Sequence, residues 1–286
     1  VIAPPLGTIE RWCFDFVTTD ELAGKLEPSE TPDTTRDDAF ESARGDGGVI
    51  VAPPARRLTA PGRPASLRVV ARSPSAPRPE ALVDAAARGR LLHTFLHHEL
   101  QAAELFAWAV LAFPATPRAF RVGLVKLCRE ELAHLALYRG HMRELGVEYG
   151  DHPVRDWFWQ RVTRCATPES FVALQGLGLE GANLEHSARY AAHARAIGDD
   201  ALARTFEVVE RDEIGHVAFA VHWFERFTGA PLDYDRFRAA LPHPLTPAVL
   251  QGKPLNRAAR GRAGLDAAFL DRLEAEPPTS VPRDDA

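Results

Sequence analysis

The sequence has little that would tie it to nucleic acid, a membrane or a disulfide framework. It carries 34 basic against 39 acidic residues, a formal net charge of -5, so no global positive field draws it toward phosphates or anionic lipid. A local patch of Arg118, Arg121, Lys126 and Arg129 reads more simply as a solvated helix face, which leaves nucleic acid disfavoured rather than ruled out. The three cysteines, Cys13, Cys128 and Cys165, are odd in number and far apart, which suits neither paired disulfides nor a C-x-x-C metal site. A reducing, cytoplasmic setting is expected. No run approaches the ~18 apolar residues of a membrane span, and the opening VIAPPLGTIERW lacks the basic-then-apolar pattern of a signal peptide. No nucleophile triad, phosphate loop or zinc-cysteine pattern is present.

What is there is a chain of 286 residues, 45% hydrophobic and 26% charged, enough to bury a sizeable core. Residues 1–80 are rich in Pro, Asp, Thr, Ser and Arg and read as an irregular extension that wraps something larger. A short helix is expected at Thr19 to Leu26, and extended chain at SETPDTTRDD and from Pro53 to Pro79. Residues 81–228 then hold four long helical segments. The first runs from about Glu80 to Phe113 and the second from Arg118 to Leu145, stopped at Gly146. The third starts at Thr167-Pro168-Glu169, a cap, a first-turn proline and an early acid, and ends near Gly198. Asp199 or Asp200 caps the fourth, which runs to Thr228. Residues 229–286 form a C-terminal extension with one helix, Asp266 to Leu273. These segments are rich in Ala, Leu, Glu and Arg without sustained period-two alternation, so the expected fold is all-α, a four-helix bundle.

Spaced at ~100° per residue, the apolar stripes of these helices carry acids. Glu99 lies among Leu92, Phe95, Ala102, Phe106 and Phe113. Glu131 and His134 share a face with Phe120, Leu124, Leu127, Leu135, Met142 and Leu145. Glu213 and His216 sit within Leu202, Phe206, Val209, Val217, Ala220, Phe224 and Phe227. On the least amphipathic helix Glu180 shares its face with Ala173, Leu177, Leu184, Ser187 and Ala191, whereas Glu185 lies about 140° round. Buried carboxylates are costly unless neutralised, and two divalent cations would balance four of them. Residues at i and i+3 are neighbours on a helix, so Glu131-x-x-His134 and Glu213-x-x-His216 can each offer oxygen and nitrogen to one site. Glu99 precedes Glu131 by 32 residues and Glu180 precedes Glu213 by 33. This repeat is the pattern of di-metal carboxylate bundles. Salt bridges to arginines are the alternative.

Other candidates read more blandly. His93, His97 and His98 are expected to be surface or packing residues, and His222 lies opposite Glu213. Glu104 and Glu130 are expected in solvent, and Cys128 as a core filler. Glu185, Glu210, Tyr138 and His141 are candidates for a supporting shell around the metals.

The segments HHELQAAEL, REELAHLALY, GLGLEGANLEH and ERDEIGHVAFAVHWF resemble the helix signatures of a bacterial ferritin-like domain family of unassigned function. KPLNRAARGRAGL is similar to that family's C-terminal tail, and the likeness runs over roughly residues 85 to 265. More distantly, EELAH with ELGVEYG, and LEGANLEHSARY, are similar to the di-iron tRNA hydroxylase acting on methylthio-isopentenyl-adenosine. The resemblance implies that Glu99, Glu131, His134, Glu180, Glu213 and His216 take ligand positions, with Glu131 and Glu213 bridging, and that an acid recurs at position 185.

The function expected is a di-metal, oxygen-dependent oxidoreductase of the hydroxylase or oxygenase type. It would hold two transition-metal ions, iron foremost, with manganese or a mixed pair also suiting the ligands. Phe95, Phe106, Phe206 and Phe224 would exclude water. A small-molecule substrate, dioxygen and an external electron donor are the implied partners, with no membrane, and a homodimer is compatible. The rivals are a non-enzymatic metal-binding or storage protein and a tRNA-modifying hydroxylase.

Overall fold

The computed structural model describes residues 1–30, 36, 53–72 and 77–277. Every regular element among them is helical, with one isolated parallel bridge between Val69 and Val154, so the protein has an all-α, helical-bundle fold. No helix among the described residues is long and apolar enough to cross a membrane. The chain divides into two compact units, one drawn from residues 1–76 and 89–163, the other from 77–88 and 164–286. Most of the SETPDTTRDD stretch lies outside the described residues.

The first unit is built around α3 (Ala85–Ala112), all but four residues of which belong to it, and α4 (Arg118–Glu144). Before them come α1 (Ile9–Thr18) and α2 (Leu22–Leu26); a short α5 (Trp157–Val162) follows. Only α2 falls in the short helix expected at 19–26; α1 was not expected. Its start is local all the same, since the Thr8 side chain accepts from Arg11 N, a standard N-cap. One apolar stripe is expected on α3, yet it is buried on all sides from Glu99 to Ala112, with Glu99, Gln101 and Glu104 inside the buried stretch. Residues 53–72 run as irregular chain across it. Arg56 N donates to Leu111 O at 2.8 Å, and Trp108 Nε1 donates to Leu58 O at 3.0 Å. Gly62 is required here, because a Cβ would sit 2.2 Å from Thr18 O.

That cover overturns two expectations of solvent exposure. Glu104 is fully buried, held by Lys25 Nζ at 2.7 Å and by Arg63 at 2.6 Å. Arg121 is also buried, its guanidinium 2.8 Å from Glu10. Arg118 is half-buried, whereas Lys126 and Arg129 are exposed as expected.

In the second unit one continuous helical run begins at the Thr167 cap, where Oγ1 accepts from Ser170 N. It comprises α6 (Pro168–Phe171), a π-helical stretch (Val172–Glu180) and α7 (Gly181–Ala196). Its limits match the expected third helix; its winding does not. The packed partner is α8 (Asp200–Thr228), capped by Asp199 on Leu202 N and stopped by Gly229 at φ +67°, a left-handed conformation that suits glycine. A Cβ on Gly176 would lie 2.3 Å from Ala220 Cβ, so glycine sets how closely the π stretch approaches α8. The remaining chain adds α9 (Tyr234–Ala240), α10 (Arg257–Arg262) and α11 (Ala267–Glu274). Only the last was expected, from its Asp266 cap.

Candidate metal centre

Each unit gathers two acids and one histidine. In the first, Glu99 comes from α3, and Glu131 and His134 come from successive turns of α4. All three are at most 4% exposed. His134 Nδ1 lies 3.5 Å from Glu131 Oε2 and 3.9 Å from Glu99 Oε2. One ligand atom from each of the three falls within 4.8 Å of the others. In the second unit Glu180 ends the π stretch, and Glu213 and His216 lie one turn apart on α8. These too are at most 4% exposed, with His216 Nδ1 3.0 Å from Glu213 Oε2 and ligand atoms again within 4.8 Å of one another. The i,i+3 spacing brings acid and imidazole together in both places. Two other buried acids, Glu104 and Glu185, are each clasped by an arginine, Arg63 and Arg260 respectively.

The donor set suits a transition metal. Two carboxylates and an imidazole per triad match the oxygen and nitrogen preferences of iron, manganese and zinc, and buried acids gathered this closely need positive charge to remain ionised. The ligand atoms are near enough to one another to share a single ion.

The supporting residues sort differently. Tyr138 is buried one turn after His134, its ring centroid 5.9 Å from that of Phe95. Phe95 is half-buried, and Phe106, Phe206 and Phe224 are buried, each within its own unit. His141 is half-buried and turns to Glu144, 3.7 Å away. Glu210 is half-buried and accepts from Asn256 Nδ2 at 2.9 Å. Glu185 is occupied by Arg260, with which it forms a buried bidentate pair. His98 rests on Phe158 and His222 is exposed. His93 and His97 are both buried; His93 Nε2 accepts from Gly150 N at 3.0 Å. His97 bridges Tyr149 OH at 2.6 Å and Asp156 at 3.2 Å. Burial pushes the Asp156 carboxyl upward, but hydrogen bonds from His97 and Arg63 outweigh it and hold the group down to about 2.

Two amides at the second triad escaped sequence reading. Asn183 Nδ2 donates to Glu213 Oε1 at 2.7 Å, and Gln175 Nε2 donates to Glu180 Oε1. Such donors fix the direction of the carboxylate they meet. Nothing in local spacing marks them, since Gln175 meets Glu180 through the π winding and Asn183 meets Glu213 across a helix pair.

A relative from Haemophilus influenzae, itself an uncharacterized protein, is 27% identical over 191 residues; the alignment spans 63% of this chain and 65% of that relative's length. No solved structure matches the chain. A family match runs from residue 19 to residue 271 and takes in all six triad residues. The chain therefore belongs to the family described as proteins of unknown function (DUF455).

Proposed function

We propose that the two triads make up one di-metal centre in a ferritin-like four-helix bundle, and that the protein is a non-haem, oxygen-dependent oxidoreductase of hydroxylase or oxygenase type. The observation that carries this reading is the paired triad itself. Two buried sets of Glu, Glu and His recur at nearly equal sequence spacing, and four carboxylates match the charge of two divalent ions. Glu99, Glu131 and His134 would hold one ion and Glu180, Glu213 and His216 the other, with Glu131 and Glu213 shared. Bound iron or manganese supplies the capacity to activate dioxygen. The chain's own part is to fix the carboxylates, through Gln175 and Asn183 among others, and to keep water away with Tyr138, Phe106, Phe206 and Phe224.

Elemental analysis of the full chain purified without added metal tests the first half, with close to two transition-metal ions per chain expected. Oxygen uptake driven by ascorbate and a mediator dye tests the second, and Glu131→Ala should abolish it. A chain that takes up no iron, manganese or cobalt would sink the proposal at its first step.

The likeness of EELAH, ELGVEYG and LEGANLEHSARY to the tRNA hydroxylase suggests a finer version, in which the substrate is a modified tRNA base. Salt-sensitive binding of bulk tRNA would support that version, and its absence would remove it. We also propose a cytoplasmic setting, because Cys13, Cys128 and Cys165 are odd in number and widely spaced, which does not suit a disulfide framework.

A further inference from the structure

The π-helical stretch of the second unit has a consequence for Glu180. Residues five apart on an α-helix point about 140° away from each other. A π-helix closes i to i+5 instead, so the winding of Val172–Glu180 lays Gln175 against Glu180. Gln175 is fully buried, and its Nε2 donates to Glu180 Oε1. The amide nitrogen is the donor in this pair and the carboxylate oxygen the acceptor. Its own Oε1 is buried and meets no donor among the described residues. Burying an unserved carbonyl oxygen is a cost that Leu or Met at this position would not carry. Packing therefore does not explain the amide; the hydrogen bond to Glu180 does.

We propose that Gln175 is a positioning residue of the di-metal centre, delivered by the π-helix to hold Glu180 aimed as a metal ligand. The inference rests on the di-metal reading above. Cobalt(II) is the probe, titrated into the metal-free full chain and followed by visible absorption, with thermal unfolding of the metal-free chain recorded in parallel. In Gln175→Met, one of two cobalt ions should bind about 10- to 100-fold more weakly and the visible spectrum should change, without a fall in unfolding temperature. Gln175→Asn keeps the amide but is one methylene too short to reach Glu180, so it should behave like Gln175→Met. Wild-type cobalt affinity and spectrum in Gln175→Met would overturn the proposal. Recovery of affinity in Gln175→Asn would do the same, as would a loss of affinity that follows an equal loss of stability. Wild-type protein that binds no cobalt would defeat the di-metal reading itself, whereas normal wild-type binding with an indifferent Gln175→Met defeats only the role of Gln175.

Discussion

Arg260 grips Glu185 with two parallel hydrogen bonds, Nε to Oε1 and Nη2 to Oε2, both 2.8 Å, in a pair whose side chains are 0% and 2% exposed. The same carboxylate accepts from the backbone N–H groups of Gly252 and Asn256, each at 2.9 Å. Glu185 thus fastens the chain from Gly252 to α10 onto α7, and its role in this structure is to anchor that segment.

Breaking this pair from one side should be costly, because the partner's charge stays buried. Glu185→Leu is expected to lower stability by about 3–5 kcal/mol, read by chemical denaturation of the metal-free chain. Adding Arg260→Met to it should recover most of that loss. A double variant no more stable than the single one would show that the backbone contacts to Glu185, rather than the ion pair, hold the segment.

Close approach at Gly176 gives a second expectation. A Cβ there would lie 2.3 Å from Ala220 Cβ, so Gly176→Ala should cost about 1–3 kcal/mol by overpacking. Ala220→Gly in the same chain should return part of it, although glycine within α8 costs about 1 kcal/mol of its own. A Gly176→Ala chain of undiminished stability would mean that the π stretch can shift away from α8 freely.

His93 supplies a pH dependence. Burial is the main cause that pushes its imidazole down to about 4 from 6.5; His152 and His97 push the same way, and Asp151 opposes them. Between those values the unfolded chain binds a proton that the folded chain does not. The contribution is therefore complete above pH 6.5 and is lost as pH falls toward 4. The loss should be on the order of 2 kcal/mol at pH 5 relative to pH 7. Urea denaturation at both pH values compares the wild type with His93→Gln, which can still accept from Gly150 N. The wild type should lose more stability than the variant on going to pH 5, and parallel losses would remove His93 as the cause.

Metal content offers a sharper test of which acids are shared. If Glu131 and Glu213 bridge, Glu131→Ala or Glu213→Ala should cost the chain most of both ions. Glu99→Ala or His134→Ala should weaken one ion and largely spare the other. Elemental analysis after desalting reads the difference. Equal losses in all four variants would argue against bridging carboxylates.

Helix limits were readable because caps and stops are local: Thr167, Asp199 and Asp266 each accept the expected backbone N–H. The six triad acids and histidines were readable for a related reason, since a charged group inside an apolar stripe is visible at helical spacing. Helix α1 and the short helices α9 and α10 have too few turns to show a clear period. Glu104 misled because a wheel shows only the helix that carries the residue. It cannot show Lys25 or Arg63, which cover the opposite face from 79 and 41 positions away.

The sequence alone determined an all-helical chain and two acid-acid-histidine sets, because backbone hydrogen bonding and side-chain periodicity act over a few residues. Tertiary structure decided which other buried acids are matched by cations, Glu104 by Lys25 and Arg63, Glu185 by Arg260, and Glu10 by Arg121. It also decided the π winding that seats Gln175 on Glu180. Each of those outcomes depends on packing against chain distant in sequence or on a change of helical pitch, and neither leaves a mark in local spacing.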